Sequence, residues 1–87
     1  MLEELIGQNI VVDLRSPFIC LGKLVRVDPL HLELKNADLH DLRDTHTSRE
    51  NYVASSLATG IKRNRKRLLL ARSEIVGVSL LRDIADE

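Results

Sequence analysis

Between positions 62 and 67 the chain reads Lys-Arg-Asn-Arg-Lys-Arg, five cations in six residues. Clustered lysine and arginine gain affinity for nucleic acid by displacing counterions from phosphates, without reading base sequence. Lys62, Arg63, Arg65, Lys66 and Arg67 are therefore the first candidates for a nucleic-acid contact. The plainer reading is a solvated connection that balances the acids at 38–50 and 83–87. Two isolated residues join them. His31 could hydrogen-bond to or stack on a base, or be an exposed or interface histidine. Arg72 could present its planar fork to a phosphate or a base edge, or form a salt bridge between subunits.

Other reactive types lead nowhere specific. Asp38, His40, Asp41, Asp44 and His46 include metal-capable groups, but their spacing matches no helical histidine pair and no cysteine assists. Asp41 and Asp44 read instead as turn caps or partners of Arg43 and Arg49. Cys20, the single cysteine, falls at a core position of a strand, where it behaves as a small hydrophobe. Ser16, Ser55 and Ser56 stand in no nucleophile elbow or triad context. The chain reads as a non-enzyme, with no catalytic residue, metal or cofactor expected.

The elements that must position these residues follow from periodicity. Leu2, Leu5 and Ile6 predict a short helix over 2–6, stopped by Gly7. Ile10, Val12 and Leu14 alternate as a half-buried strand that ends at the Ser16-Pro17 turn. A second strand runs over 18–27 with Gly22 near its middle, which implies a sharp bend or a close backbone approach. After Asp28-Pro29, Leu30, Leu32 and Leu34 give the cleanest alternation in the chain, and the polar stretch 36–47 follows. Thr47 and Glu50 form a capping box that starts a helix over 48–59, closed by Gly60, with Val53, Leu57 and Ile61 as its apolar stripe. Leu68 to Ala71 forms a fourth strand, apolar on both faces and so central or bent. After a break at 72–74 comes a fifth strand over 75–81, and then an acidic tail expected to fray. The short links between the first three strands require an antiparallel meander.

Composition narrows the possibilities. The chain has 87 residues, with 13 basic and 13 acidic side chains that cancel. That length allows one domain, whose fold is marginal alone, so oligomers are expected. Zero net charge excludes a uniformly basic nucleic-acid coat but not a local patch. Aromatics amount to 2%, Phe18 and Tyr52, which nearly removes base stacking as a binding mode. No apolar run approaches the ~18 residues of a membrane span, and the acidic start fits neither a secretory signal nor a transit peptide. The expected location is the cytoplasm, with no membrane partner.

The order helix, three strands, variable segment, two strands around a tight break resembles the Sm, LSm and Hfq superfamily, of which the chain is identified as a divergent member. Leu5-Ile6-Gly7-Gln8-Asn9-Ile10-Val11-Val12 is similar to the family's entry into its first strand. Gly22-Lys23-Leu24-Val25-Arg26-Val27-Asp28 matches the first Sm motif, with glycine, leucine two later, an apolar residue five later, then aspartate. Leu30-His31-Leu32-Glu33-Leu34 resembles the third strand, and Leu70-Ala71-Arg72-Ser73-Glu74-Ile75-Val76-Gly77-Val78 the second motif. The match covers 2–35 and 67–81. His31 stands where the family carries a base-binding asparagine, and the motif's Arg-Gly pair reads Ala71-Arg72.

The resemblance implies a mainly β fold with helices: a small, bent, five-stranded antiparallel barrel behind an N-terminal helix, with 48–59 inserted between strands 3 and 4. Residues 1–87 would form a single domain of this kind. It implies a homo-oligomeric ring in which the fourth strand of one subunit pairs with the fifth of the next. It also implies single-stranded RNA as the partner; with five cations at 62–67, no aromatic placed to stack bases and His31 at the asparagine position, binding is expected to be weak, steeply salt-dependent and little selective for base. The alternative is a ring module for structure or protein interaction that has lost the RNA pocket.

Overall fold

Side chains alternate between two covered faces of the sheet, so Ile10, Val11 and Val12 are all buried and the first strand is not the half-buried one that its alternation predicts. The computed structural model describes residues 1–44 and 46–84. A 3-10 helix at Leu2–Leu5 leads into β1 (Asn9–Leu14), β2 (Phe18–Val27) and β3 (His31–Asp41). A 3-10 turn at Leu42–Asp44 precedes α1 (Arg49–Thr59); β4 (Arg65–Ala71) and β5 (Ile75–Leu80) follow, separated by the 3-10 turn Arg72–Glu74. The strands form one antiparallel sheet in the order β4-β3-β2-β1-β5. Ile10, Val12, Cys20, Leu24, Leu32, Leu34 and Leu70 bury its inner face, with Ile75, Val78 and Leu80 of β5 packed against them. All five strands thus enclose one core. On the outer face Val11, Ile19 and Leu21 pack under Val53 of α1 and Leu81, so the inserted helix covers a second, smaller core. No described helix is long and apolar enough to cross a membrane.

The bend sits at Gly22. Leu21 pairs with Asp38 and Lys23 with Lys35, so Gly22 alone faces both Asn36 and Ala37. This is a β-bulge, and Asn36 takes the left-handed conformation it requires, at φ 51. A Cβ on Gly22 would lie 3.0 Å from the Ala37 Cβ and 3.1 Å from its Cα, which is why glycine stands there.

The structure corrects several expectations. The N-terminal helix is a single 3-10 turn at Leu2–Leu5 rather than a helix over 2–6. Strand β3 does not end before the polar stretch: the bulge at Asn36 returns the chain to register, and β3 pairs with β2 as far as Asp41. Leu30 is 71% exposed in the turn before β3 and is not part of the core alternation. The cap of α1 is Ser48, whose side chain accepts a hydrogen bond from the Asn51 N–H at 3.1 Å. It replaces the expected Thr47–Glu50 box, because the helix starts one residue later. Gly60 closes the helix as expected, at φ 95 with its N–H donating to the Ser56 carbonyl. The buried face of α1 is Val53 and Ser56 with Tyr52 beside them, while Leu57 is more exposed than the stripe implied. Strand β4 is an edge of the sheet, not a central strand, and it begins within the basic run, at Arg65. Strand β5 ends at Leu80, and Leu81 turns into a 3-10 segment. Of the tail expected to fray, 85–87 lie outside the described residues.

Candidate nucleic-acid interface

The basic run does not hang free as a connection. Arg65 pairs with Ala37 and Arg67 with Lys35 on the β3–β4 ladder, which places the run beside the Asn36 bulge. Lys35, Asn36, Arg63, Arg65, Lys66 and Arg67 line a bay of about 500 Å³. Arg63 Nη1 donates to Asn36 Oδ1 at 3.0 Å, and Arg67 Nη1 to Glu33 Oε2 at 3.0 Å. Glu33 also pairs with Arg26 at 2.9 Å, so one carboxylate serves two guanidiniums.

Asn64, the one neutral residue of the run, anchors it. Its N–H donates to the Ala37 carbonyl at 2.8 Å. Its side chain mimics a strand neighbour: Oδ1 accepts from the Leu39 N–H and Nδ2 donates to the Leu39 carbonyl, both at 3.1 Å. Nδ2 also donates to Asp38 Oδ1 at 3.1 Å. The other oxygen of Asp38, a residue only 6% exposed, accepts from the Tyr52 hydroxyl of α1. Burial, then this hydrogen bond and the Asp38 charge, push the Tyr52 phenol far above its ordinary range. The Tyr52 ring stacks on His40, with centroids 4.1 Å apart and planes 9° apart. The inserted helix is therefore tied through Tyr52, Asp38 and Asn64 to the segment that carries Arg63 and Arg65.

His31 and Arg72 lie at the opposite end of β4. His31 pairs with Ala71, and the Arg72 N–H donates to the Leu30 carbonyl at 2.9 Å. The same turn occupies their side chains: Arg72 Nη1 donates to the Asp28 carbonyl at 2.9 Å, and His31 Nδ1 is 3.6 Å from Asp28 Oδ1. Asp28 Oδ1 also accepts from the N–H groups of Leu30 and His31, at 2.8 and 2.7 Å. Those two bonds hold the Asp28 carboxyl below the usual carboxylate range, with the charges of His31 and Arg26 adding to them.

No protein-family model matches the chain, and no curated protein matches it. Solved structures do. The Sm protein of Pyrococcus abyssii, solved in complex with a uridine heptamer, superposes with a TM-score of 0.62 at 14% identity, over 90% of this chain and 89% of that one. An Sm-like protein of Archaeoglobus fulgidus, AF-Sm2, gives 0.61 at 20% identity, over 92% and 88%. A chain of the NatC complex, solved with CoA bound, gives 0.61 at 20% identity, over 92% and 83%. The fold is Sm-like.

On this Sm-like sheet the candidate residues separate into two groups. His31 and Arg72 come together, and Arg63, Arg65, Lys66 and Arg67 come together, but the length of β4 divides the groups. Lys62 lines a different hollow of about 380 Å³ under α1, with Asp38, His40, Tyr52, Ser55 and Thr59. Sequence reasoning missed Lys35 and Asn36, which come from the neighbouring strand and are joined to the run only by register. The signal that could have found them is Gly22 itself, since a bend in β2 asks for a bulge opposite. Asp41 pairs with Arg43 at 2.8 Å as expected, and this holds its carboxyl down at about 2. Arg49 pairs instead with Asp13 of β1 at 2.6 Å. Cys20 is buried, and burial pushes its thiol up to about 12, so it is an inert core residue.

Proposed function

We propose that this Sm-like chain is a single-stranded RNA-binding module that contacts phosphates through its basic segment. One observation carries the reading: register and the Asn64 anchor gather Arg63, Arg65, Lys66 and Arg67 with Lys35 around one bay. A phosphate-rich strand releases counterions at such a surface regardless of its bases. The uridine heptamer bound by the Pyrococcus abyssii protein supports RNA as the polyanion. His31 and Arg72, engaged with Asp28, contribute less in this reading. Binding is therefore salt-steep and weakly base-selective.

The proposal includes a closed homo-oligomer, with 1–87 as one domain acting in the cytoplasm. Strands β4 and β5 are the two edges of the sheet, and each exposes a large apolar residue, Leu69 at 58% and Val76 at 71%. An apolar unpaired edge invites pairing, and pairing of β4 with β5 of the next copy closes a ring without leaving edges. A second reading, a structural or protein-interaction ring without an RNA pocket, draws on the scarcity of aromatics and on the local ties of His31 and Arg72.

Fluorescence anisotropy with uridine-rich and adenosine-rich single strands at two salt concentrations tests the reading. Binding that weakens steeply with salt and differs little between the strands is expected. No binding to either strand at low salt favours the structural module. Light scattering tests the ring, and a stable monomer would exclude it.

A further inference from the structure

The basic run is one end of a longer feature that the sheet register exposes. Direct cross-strand partners carry their side chains on the same face. Asn9 of β1 pairs with Lys23 of β2, Lys23 with Lys35 of β3, and Lys35 with Arg67 of β4. These residues alternate with Leu24, Leu34 and Leu68, which pack in the inner core, so the row lies on the outer face. Three cations on three adjacent strands thus stand side by side, roughly 10 Å from end to end. Like charges directly opposite one another destabilise a sheet. The row is relieved only at its Arg67 end, by Glu33, and Lys23 and Lys35 have no ion-pair partner among the described residues. A second bay of about 350 Å³, lined by Asn9, Lys23, Asn36, Ile61 and Arg63, adjoins the first, with Asn36 and Arg63 common to both.

We infer that Lys23 and Lys35 are further RNA-binding residues, and that the strand's sugar-phosphate backbone crosses the outer face from Arg67 over Lys35 to Lys23. The inference rests on the RNA-binding reading and adds residues that the basic run does not contain. The row is long enough for more than one phosphate, and Arg63 stands between the two bays where it can reach a phosphate in either. The amides of Asn9 and Asn36 supply neutral donors to phosphate or sugar oxygens along the same path. Contacts to phosphate and sugar carry no sequence information, so a path that follows the backbone is sequence-tolerant.

The experiment titrates labelled uridine-rich and adenosine-rich single strands into the full chain and into Lys23→Gln, Lys35→Gln and Lys35→Glu. Each glutamine variant should weaken binding by about 2–5-fold at low salt and lower the salt slope by up to ~0.7. Lys35→Glu should weaken binding further while raising the melting temperature, because it places an anion between Lys23 and Arg67. A merely structural lysine would not move affinity and stability in opposite directions. Unchanged affinity in all three variants, with weaker binding in Arg63→Ala/Arg65→Ala/Arg67→Ala, overturns the path and leaves the RNA reading standing. A wild-type chain that binds neither strand overturns both. Equal affinity for polyglutamate overturns RNA as the occupant of the row.

Discussion

At the Ala71 end of β4, Arg72 donates to a carbonyl of the Asp28 turn and His31 lies against the Asp28 carboxylate. At the Arg65 end, Arg63, Arg65 and Lys66 surround a bay beside Lys35; of the acids nearby, Glu33 is divided between Arg67 and Arg26, and Asp38 is taken up by Asn64 and Tyr52. Cationic or polar side chains mark both ends, yet one set closes a turn while the other leaves positive charge exposed. The difference lies in what the neighbouring backbone needs. The tight turn at 28–30 has carbonyl and N–H groups to satisfy, and nearby side chains are drawn into that work. At the bay the neutral Asn64 meets most of those needs, with Arg65 Nη1 donating to the Asn64 carbonyl at 3.1 Å, and Lys35 and Lys66 are left without an ion pair among the described residues.

The largest effect expected from breaking this contrast is on RNA binding. Replacing Arg63, Arg65 and Arg67 with alanine should flatten the salt slope by up to ~0.7 for each phosphate that the variant no longer neutralises. His31→Ala or Arg72→Ala should change affinity much less. The reverse order in anisotropy titrations would move the interface to the Asp28 turn.

The tie between α1 and the bay should show next, in stability. Tyr52→Phe leaves a buried Asp38 oxygen without its donor, and Asn64→Ala unpairs both Asp38 and Leu39. Each should cost about 1–3 kcal/mol, read as a shift in denaturant midpoint at constant slope. A smaller effect is expected at the cap of the same helix. Ser48→Ala should cost about 0.5–2 kcal/mol, and Thr47→Ala only a few tenths, in thermal unfolding. Equal costs would restore the capping box that the sequence suggests.

The smallest effect concerns the turn. Because the folded state holds Asp28 below its ordinary value, its ionised form stabilises the fold at any pH above that value, ~3.9. The contribution disappears as pH falls through the depressed folded value. Asp28→Asn should therefore lower stability at neutral pH and flatten the acid limb of a stability-versus-pH curve. An unchanged limb would separate the turn from any electrostatic role.

Much of the frame is legible in the residues. Alternation at Ile10, Val12 and Leu14, the breakers Ser16-Pro17 and Asp28-Pro29, and the stop at Gly60 are short-range signals, and the strands and helix they imply are present. Gly22 points to a bend, and the bend is there. The site is legible only in half: the cations of 62–67 are plain, but their partners Lys35 and Asn36, and their distance from His31 and Arg72, are not.

Short-range pattern accounts for the order of elements, the place of the inserted helix and the density of charge at 62–67, since each follows from periodicity or composition within a few residues. Long-range register and packing account for the rest. They extend β3 through a polar stretch by means of a left-handed Asn36 opposite Gly22. They align Lys23, Lys35 and Arg67 across three strands. They also enlist Asp38, Tyr52 and Asn64, far apart in the chain, to hold the helix against the basic run. Cross-strand register is a long-range property: a single bulge shifts which residues meet, and no local pattern in β4 encodes what stands opposite it on β3.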